Sequence, residues 1–200
     1  MNVLVFNALI VAGGRSSRLG GVPKALLSNG QQTLLASTLD AAGTAAARVV
    51  VGPSDLPLPS GVLLTREEPA FSGPAAAIGA GLNALAHHRA PWTLLLSVDV
   101  PGVAGAVEQL TEAAASATPE TLGFWGVADG TFQPLLGIYR TDQLAQAFAG
   151  DTANASVRRF LAPLSPQPVQ LTSELAADVD TWQQAQASGY TRDTSTARSV

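Results

Sequence analysis

Apolar residues along the chain gather into short runs, separated by alanine- and leucine-rich stretches of helical length. Phe6–Val11, Arg48–Val51, Val62–Leu64 and Thr93–Val98 are short, mostly apolar and bounded by Gly, Pro, Asp or Asn, which predicts strands. Leu122–Trp125, Leu135–Tyr139 and Val169–Leu171 are weaker strand candidates. Helices are predicted over Leu34–Ala46, Pro74–Ala86, Ala104–Ala115, Asp142–Ala149, Ala155–Leu161 and Trp182–Ala187. Pro74 suits a first helical position, where a missing N–H costs no hydrogen bond. Strands alternating with helices predict an α/β fold with a parallel sheet covered on both faces. The run "WTLLLSV" is apolar without alternation, as a central strand requires. The segment Pro119–Gln133 breaks the rhythm and reads as an excursion from the sheet, a hairpin or lid beside the site. Gly189–Val200 is polar, lacks periodicity and is expected to fray.

Composition narrows the class of function. Hydrophobic residues make up 46% of the 200 and charged residues 13%, which a globular domain accommodates and a disordered chain does not. A net charge of -4 argues against a general nucleic-acid surface, so a bound anion is expected to be small and locally held. No cysteine is present, which excludes disulfides, thiolate metal sites and cysteine nucleophiles; a reducing cytoplasm is the expected location. No apolar stretch has the length to span a bilayer, so no membrane partner is expected.

Charge then singles out one loop. The first apolar run leads into "VAGGRSSRLGGVPK", Val11–Lys24, and from Ala8 through Leu39 the only ionisable side chains are Arg15, Arg18 and Lys24. Glycines admit an anion close to the backbone, and cations without a local acid point to an external anionic partner. A glycine-rich turn with solvated arginines is the plainer reading, and the one-sided charge favours phosphate. The spacing is neither a Walker loop, since Pro23 precedes Lys24 and Ala25 follows it, nor the G-x-G-x-x-G dinucleotide fingerprint.

Three carboxylate features remain. Asp99 closes the strongest apolar run in "LLLSVDVP", at the strand end where open parallel sheets gather ligands. Among phosphate-binding cations its task would be to hold Mg²⁺; as an alternative it caps the following turn. Asp178 and Asp180 in "ADVDTW" fall on one side of an extended segment, where they complete a metal site or cap the next helix. Glu67 and Glu68 follow a predicted strand and would either meet a base or ribose or remain solvated. His87 and His88 end a helix and read as structural.

In this order, "VAGGRSSRLGGVPKALL", "EEPAFSGPAAAIGAGL", "LLLSVDVPGV", "QPLLGIYR", "ASVRRFL" and "DVDTWQQAQ" resemble the segments of the MobA-like nucleotidyltransferases, from about Leu9 to Gln186. The resemblance implies a Rossmann-like three-layer α/β/α fold of the nucleotide-diphospho-sugar transferase type. It implies a single nucleotidyltransferase domain over residues 1–188, with 189–200 as a tail. It is strongest to the guanylyl branch, which joins GMP from GTP to the phosphate of molybdopterin and releases pyrophosphate; another nucleotidyltransferase of the fold, such as a cytidylyltransferase, and a non-catalytic nucleotide-binding module are the alternatives. Cofactor-handling proteins would be further partners.

The resemblance also implies residue roles. Val11, Ala12, Gly13 and Gly14 would meet the nucleotide through the backbone, and Gly52, Glu68 and Gly73 would lie beside it. Lys24, with Arg15 or Arg18, would bind its phosphates. Asp99 would hold Mg²⁺, with Asp180 as a second ligand. Asp178, Arg158 and Arg159 would face the acceptor.

Overall fold

The computed structural model describes residues 4–14 and 17–192. Its strands run β1 (Phe6–Val11), β2 (Leu27–Ser28), β3 (Arg48–Val51), β4 (Val62–Thr65), β5 (Trp92–Ser97), β6 (Gly123–Ala128), β7 (Thr131–Arg140), β8 (Gln167–Gln170) and β9 (Thr191–Arg192). Its helices are α1 (Leu34–Ala41), α2 (Pro74–Ala84), α3 (Val103–Ala115), α4 (Thr141–Ala147), α5 (Val157–Leu161), α6 (Ser173–Ala176) and α7 (Trp182–Ala187).

Seven strands form one mostly parallel sheet in the order β4-β3-β1-β5-β7-β6-β8. β1 pairs in parallel with both β3 and β5, and β7 is antiparallel to its two neighbours. The chain thus steps from β1 to one side through β3 and β4, then returns to the other side as β5. The crevice beyond the carboxyl ends of β1 and β5 is the topological switch point, where this architecture places its ligands.

Alternation along β1 sorts its side chains between two cores. Phe6, Ala8 and Ile10 pack with α1 and α3, whereas Leu9 and Val11 pack with α2, α4 and α5. Every β1 position is buried, which explains its unbroken apolar run. Gly81 in α2 permits this closeness: a Cβ there would stand 2.6 Å from Leu9. In "AIGAGL", then, Gly81 serves helix–sheet contact.

Two expectations are corrected. The hairpin expected within Pro119–Gln133 is present, but β6 and the start of β7 form it as part of the main sheet rather than as an excursion from it. Asp129 and Gly130 turn it with φ of 48° and 72°, the left-handed pair of a tight hairpin. The pairing also slips: Trp125 faces Gly137, yet the next residue, Gly126, faces Gln133. Pro134, Leu135 and Leu136 are therefore pushed out of register with β6, and such bulges re-aim backbone beside active sites.

The second correction concerns the chain end. Tyr190 is buried, and Thr191–Arg192 pair with β2, so the fraying segment does not begin at Gly189. Tyr190, Val179 and Ala185 pack with Leu19, Leu27 and Leu34 in a small apolar cluster of their own. That cluster straps the late segment onto the glycine loop. Residues 193–200 of the expected tail lie outside the described residues.

Candidate functional site

The basic loop leaves β1 and Asp99 follows β5, so the topology brings both to one crevice. A cavity of about 340 Å³ opens there, lined by Gly13 and Gly14, Arg18, Lys24, Asp99 and Asp180. Val11 and Ala12 line it as well. In the loop Gly20 and Gly21 take φ of 63° and 82°, a backbone that a side chain would strain. Arg15 lies outside the described residues.

Lys24 is the centre of the charge cluster. Its Nζ donates to Asp99 Oδ2 at 2.9 Å and also to Asp180 Oδ1. Burial alone would lower the Lys24 pKa, but the Asp99 and Asp180 carboxylates outweigh it and hold the ammonium above its ordinary value. Arg18 meets the other oxygen of Asp180 at 3.5 Å, but its side chain is 73% exposed, so that pair contributes little. The acids that the loop lacks locally come from Asp99 and from the strapped C-terminal segment.

The path of that segment is set by small residues. A Cβ at Gly102 would collide with the Glu174 carbonyl, and one at Gly105 would meet Leu175 at 2.7 Å. These glycines let α6 cross the start of α3. Val179 then donates its N–H to the Asp99 carbonyl at 2.8 Å and is buried. Asp178 and Asp180 consequently flank Asp99. The Thr181 capping box on α7, with Gln184, fixes the chain just beyond.

A second cavity of about 360 Å³ adjoins the first and shares Ser97 and Asp99 with it. Its other walls include the displaced Pro134–Leu136 bulge, Arg158 and Asp178. Burial raises the Asp178 pKa, and the negative charges of Asp180 and Asp99 add to the rise. The Ser97 hydroxyl donates to Asp99 Oδ1, which orients the carboxylate at the shared wall. A third cavity, of about 290 Å³, lies on the other side of the glycine loop against Glu67, Phe71 and Gly73.

Three sequence-derived assignments shift. Glu68 is exposed, and Glu67 is the buried carboxylate that lines the third cavity. Gly52 packs behind the loop, where a Cβ would meet Leu56 at 2.9 Å and Ala12 at 3.4 Å, and it does not line the first cavity. Arg159 lies beside Phe160 rather than in the second cavity, whereas Arg158 lines that cavity with its guanidinium over Phe132. Pro53, Gln133 and Phe71 were not singled out from the sequence, yet they line the three cavities.

No cluster of three His, Cys, Asp or Glu ligands occurs among the described residues. Asp99 and Asp180 nevertheless converge on one ammonium nitrogen, and Asp178 feels both charges. Two hard oxygen ligands beside the cavity lined by Lys24 and the glycine loop fit a divalent cation, which takes its remaining ligands from phosphate and water.

This geometry predicts a crossed effect. Asp180→Asn removes a charge that engages Lys24 while keeping an acceptor oxygen. Without divalent cation it should raise affinity for a nucleoside triphosphate about fivefold, and with cation it should lower it. Titration in chelator and in Mg²⁺ reads both, and loss of affinity under both conditions would contradict the ion-pair competition.

The chain matches the family model for the MobA-like NTP transferase domain over residues 8–172. It is 33% identical over 138 residues to a probable molybdenum cofactor guanylyltransferase of Mycobacterium ulcerans, covering 67% of each chain. It is 38% identical over 111 residues to a molybdenum cofactor guanylyltransferase of Pseudomonas syringae, covering 54% of this chain and 53% of the relative. Among solved structures, Rv0371c of Mycobacterium tuberculosis in complex with manganese superposes with a TM-score of 0.68 at 19% identity, over 94% of this chain and 98% of that one. A 2-C-methyl-D-erythritol 4-phosphate cytidylyltransferase of Thermus thermophilus gives 0.63 at 23% identity, with the same shares covered.

Proposed function

The chain belongs to the MobA-like NTP transferase family, and from that premise we propose that it transfers GMP from GTP to the phosphate of a molybdopterin-type acceptor, releasing pyrophosphate. One observation carries this reading: two cavities meet at Ser97 and Asp99, one lined by the glycine loop and Lys24, the other by Arg158 and Asp178. A binding module needs the first cavity only. A transferase needs two phosphate-bearing substrates to meet over one carboxylate.

The chemistry asks little covalent work of the protein. A phosphate oxygen of the acceptor attacks the α-phosphorus, the bond from α-phosphorus to the bridging oxygen breaks, and pyrophosphate leaves with that electron pair. A phosphate monoester has a second pKa of about 6, so the nucleophile is largely deprotonated at neutral pH and needs no general base. The obstacle is the approach of two polyanions. Gly13 and Gly14 present backbone to the nucleotide phosphates, and Lys24 offsets charge that builds on the leaving pyrophosphate. Arg158 faces the acceptor phosphate across the second cavity. Asp99 and Asp180 would hold Mg²⁺, which when bound withdraws charge from the α-phosphate oxygens.

The guanine assignment is supported by the names of the curated relatives, and the cytidylyltransferase likeness makes cytosine the competing base. A thermal-shift series with GTP, CTP, ATP and UTP in Mg²⁺ separates them, because a ligand that binds the native state stabilises it. GTP should give the largest shift. A larger shift with CTP would move the chain to the cytidylyl reading.

A further inference from the structure

The capping box that opens α7 carries one bond more than a helix start requires. In the ordinary box, the side chain at the third helical position reaches back to the N–H of the capping residue. Here Gln184 Oε1 accepts from the Thr181 N–H at 2.9 Å and from the Thr181 hydroxyl at 3.0 Å. It also accepts from the Asp180 N–H at 3.0 Å, one residue before the cap. The helix start is already served, because the Thr181 hydroxyl accepts from the Gln184 N–H at 3.2 Å. The extra bond instead holds the residue whose carboxylate meets Lys24.

Asp180 needs such a holder. Its side chain is 37% exposed, and its pairing with Arg18 is too exposed to fix it. The two peptide units that flank its Cα both aim their N–H groups at the one Gln184 oxygen, which sets the direction of the side chain. Gln184 in turn has a firm footing. The next residue, Ala185, is fully buried in the cluster with Leu27, Leu34 and Tyr190, and the Tyr190 N–H donates to its carbonyl at 2.8 Å. Gln184 itself is exposed and lines neither of the two joined cavities, so any effect it has on the reaction passes through Asp180.

We infer that Gln184 is a positioning residue whose side-chain carbonyl aims the Asp180 carboxylate at the Lys24 ammonium and at the divalent cation. This rests on the reading of Asp180 as a ligand for that cation, and it adds what holds the ligand still. With no cation present, the fixed carboxylate competes with phosphate for Lys24. With cation present, it is a ligand already in place. Loss of the Gln184 carbonyl therefore has opposite consequences in the two conditions, which a general loosening of the fold does not produce.

The test titrates GTP into the full chain, once in chelator and once in Mg²⁺. Gln184→Met keeps the length of the side chain and loses the acceptor oxygen. It should bind GTP about threefold more tightly in chelator and about threefold more weakly in Mg²⁺. The opposite signs are read whether or not the variant lowers Tm. Gln184→Glu keeps an acceptor in the capping box, so it should restore wild-type affinity under both conditions. Added to Asp180→Asn, Gln184→Met should change neither affinity further, because it acts through the carboxylate already removed. Affinity lowered alike in both conditions, or unchanged in both, would overturn the positioning role, as would an additive loss in the double variant. Such a result beside an intact crossed effect in Asp180→Asn would overturn the role of Gln184 alone. An Asp180→Asn variant without the crossed effect would overturn the reading of Asp180 with it, and a wild-type chain that binds no GTP in either condition would overturn the nucleotide reading as well.

Discussion

Asp99→Ala is expected to lose about a thousandfold or more of its metal-dependent turnover while keeping the wild-type fold. Asp99 is the one carboxylate on the wall common to both cavities, so no neighbouring side chain can take its position. Asp180 keeps its bond to Lys24 in the variant, but of the two cavities it lines only the first. The fold should survive because the structural bond at this position, from Val179 N–H, is to the Asp99 carbonyl, which alanine retains. Pyrophosphate release measured beside thermal melts separates the two effects. Full turnover with an unchanged melt would remove Asp99 from the mechanism.

Lys24→Met is expected to cost about a hundredfold to a thousandfold in turnover, the range for losing one preorganised charge-assisted contact to a developing anion. It carries a second, independent signature. Asp99 and Asp180 both bond to the Lys24 ammonium, and removing it leaves two carboxylates facing each other. Their repulsion should lower Tm in chelator. A divalent cation should return Tm to the wild-type value by binding where the ammonium was. A Tm insensitive to both substitution and cation would mean that the two carboxylates do not share a site.

Much of this arrangement is legible in the residues. β1 and β3 coincide with their predicted spans because each is an apolar run with sharp Gly, Pro or Asn punctuation. The helix from Leu34 was predicted through Ala46, yet it ends at Ala41. Gly43, just past the Ala42 cap, is a stop signal that the alanines continuing beyond it mask, and the Ala46 N–H is taken by the Phe6 carbonyl, a tertiary bond invisible in the sequence. The β6–β7 hairpin was legible, since Asp129–Gly130 between apolar runs is a strong hairpin signal, but its place inside the main sheet was not.

The site divides in the same way. Lys24 and Asp99 could be placed together because strand order puts their loops on one edge. The joining of two cavities at Asp99 could not. It depends on the slipped register of β7 and on clearance at Gly102 and Gly105, each a matter of tertiary contact. Glu67 and Glu68 are indistinguishable by composition, and only the loop's internal hydrogen bonds select Glu67. The pairing of β2 with β9 spans nearly the whole chain between two-residue strands, too short to leave a pattern.

The two cavities are expected to serve one group transfer from GTP. Its most direct measurement is pyrophosphate release on mixing the chain with GTP, Mg²⁺ and molybdopterin. Release should require all three and disappear in Asp99→Ala. Tight GTP binding without release, whatever acceptor is supplied, would contradict it and leave a nucleotide-binding module.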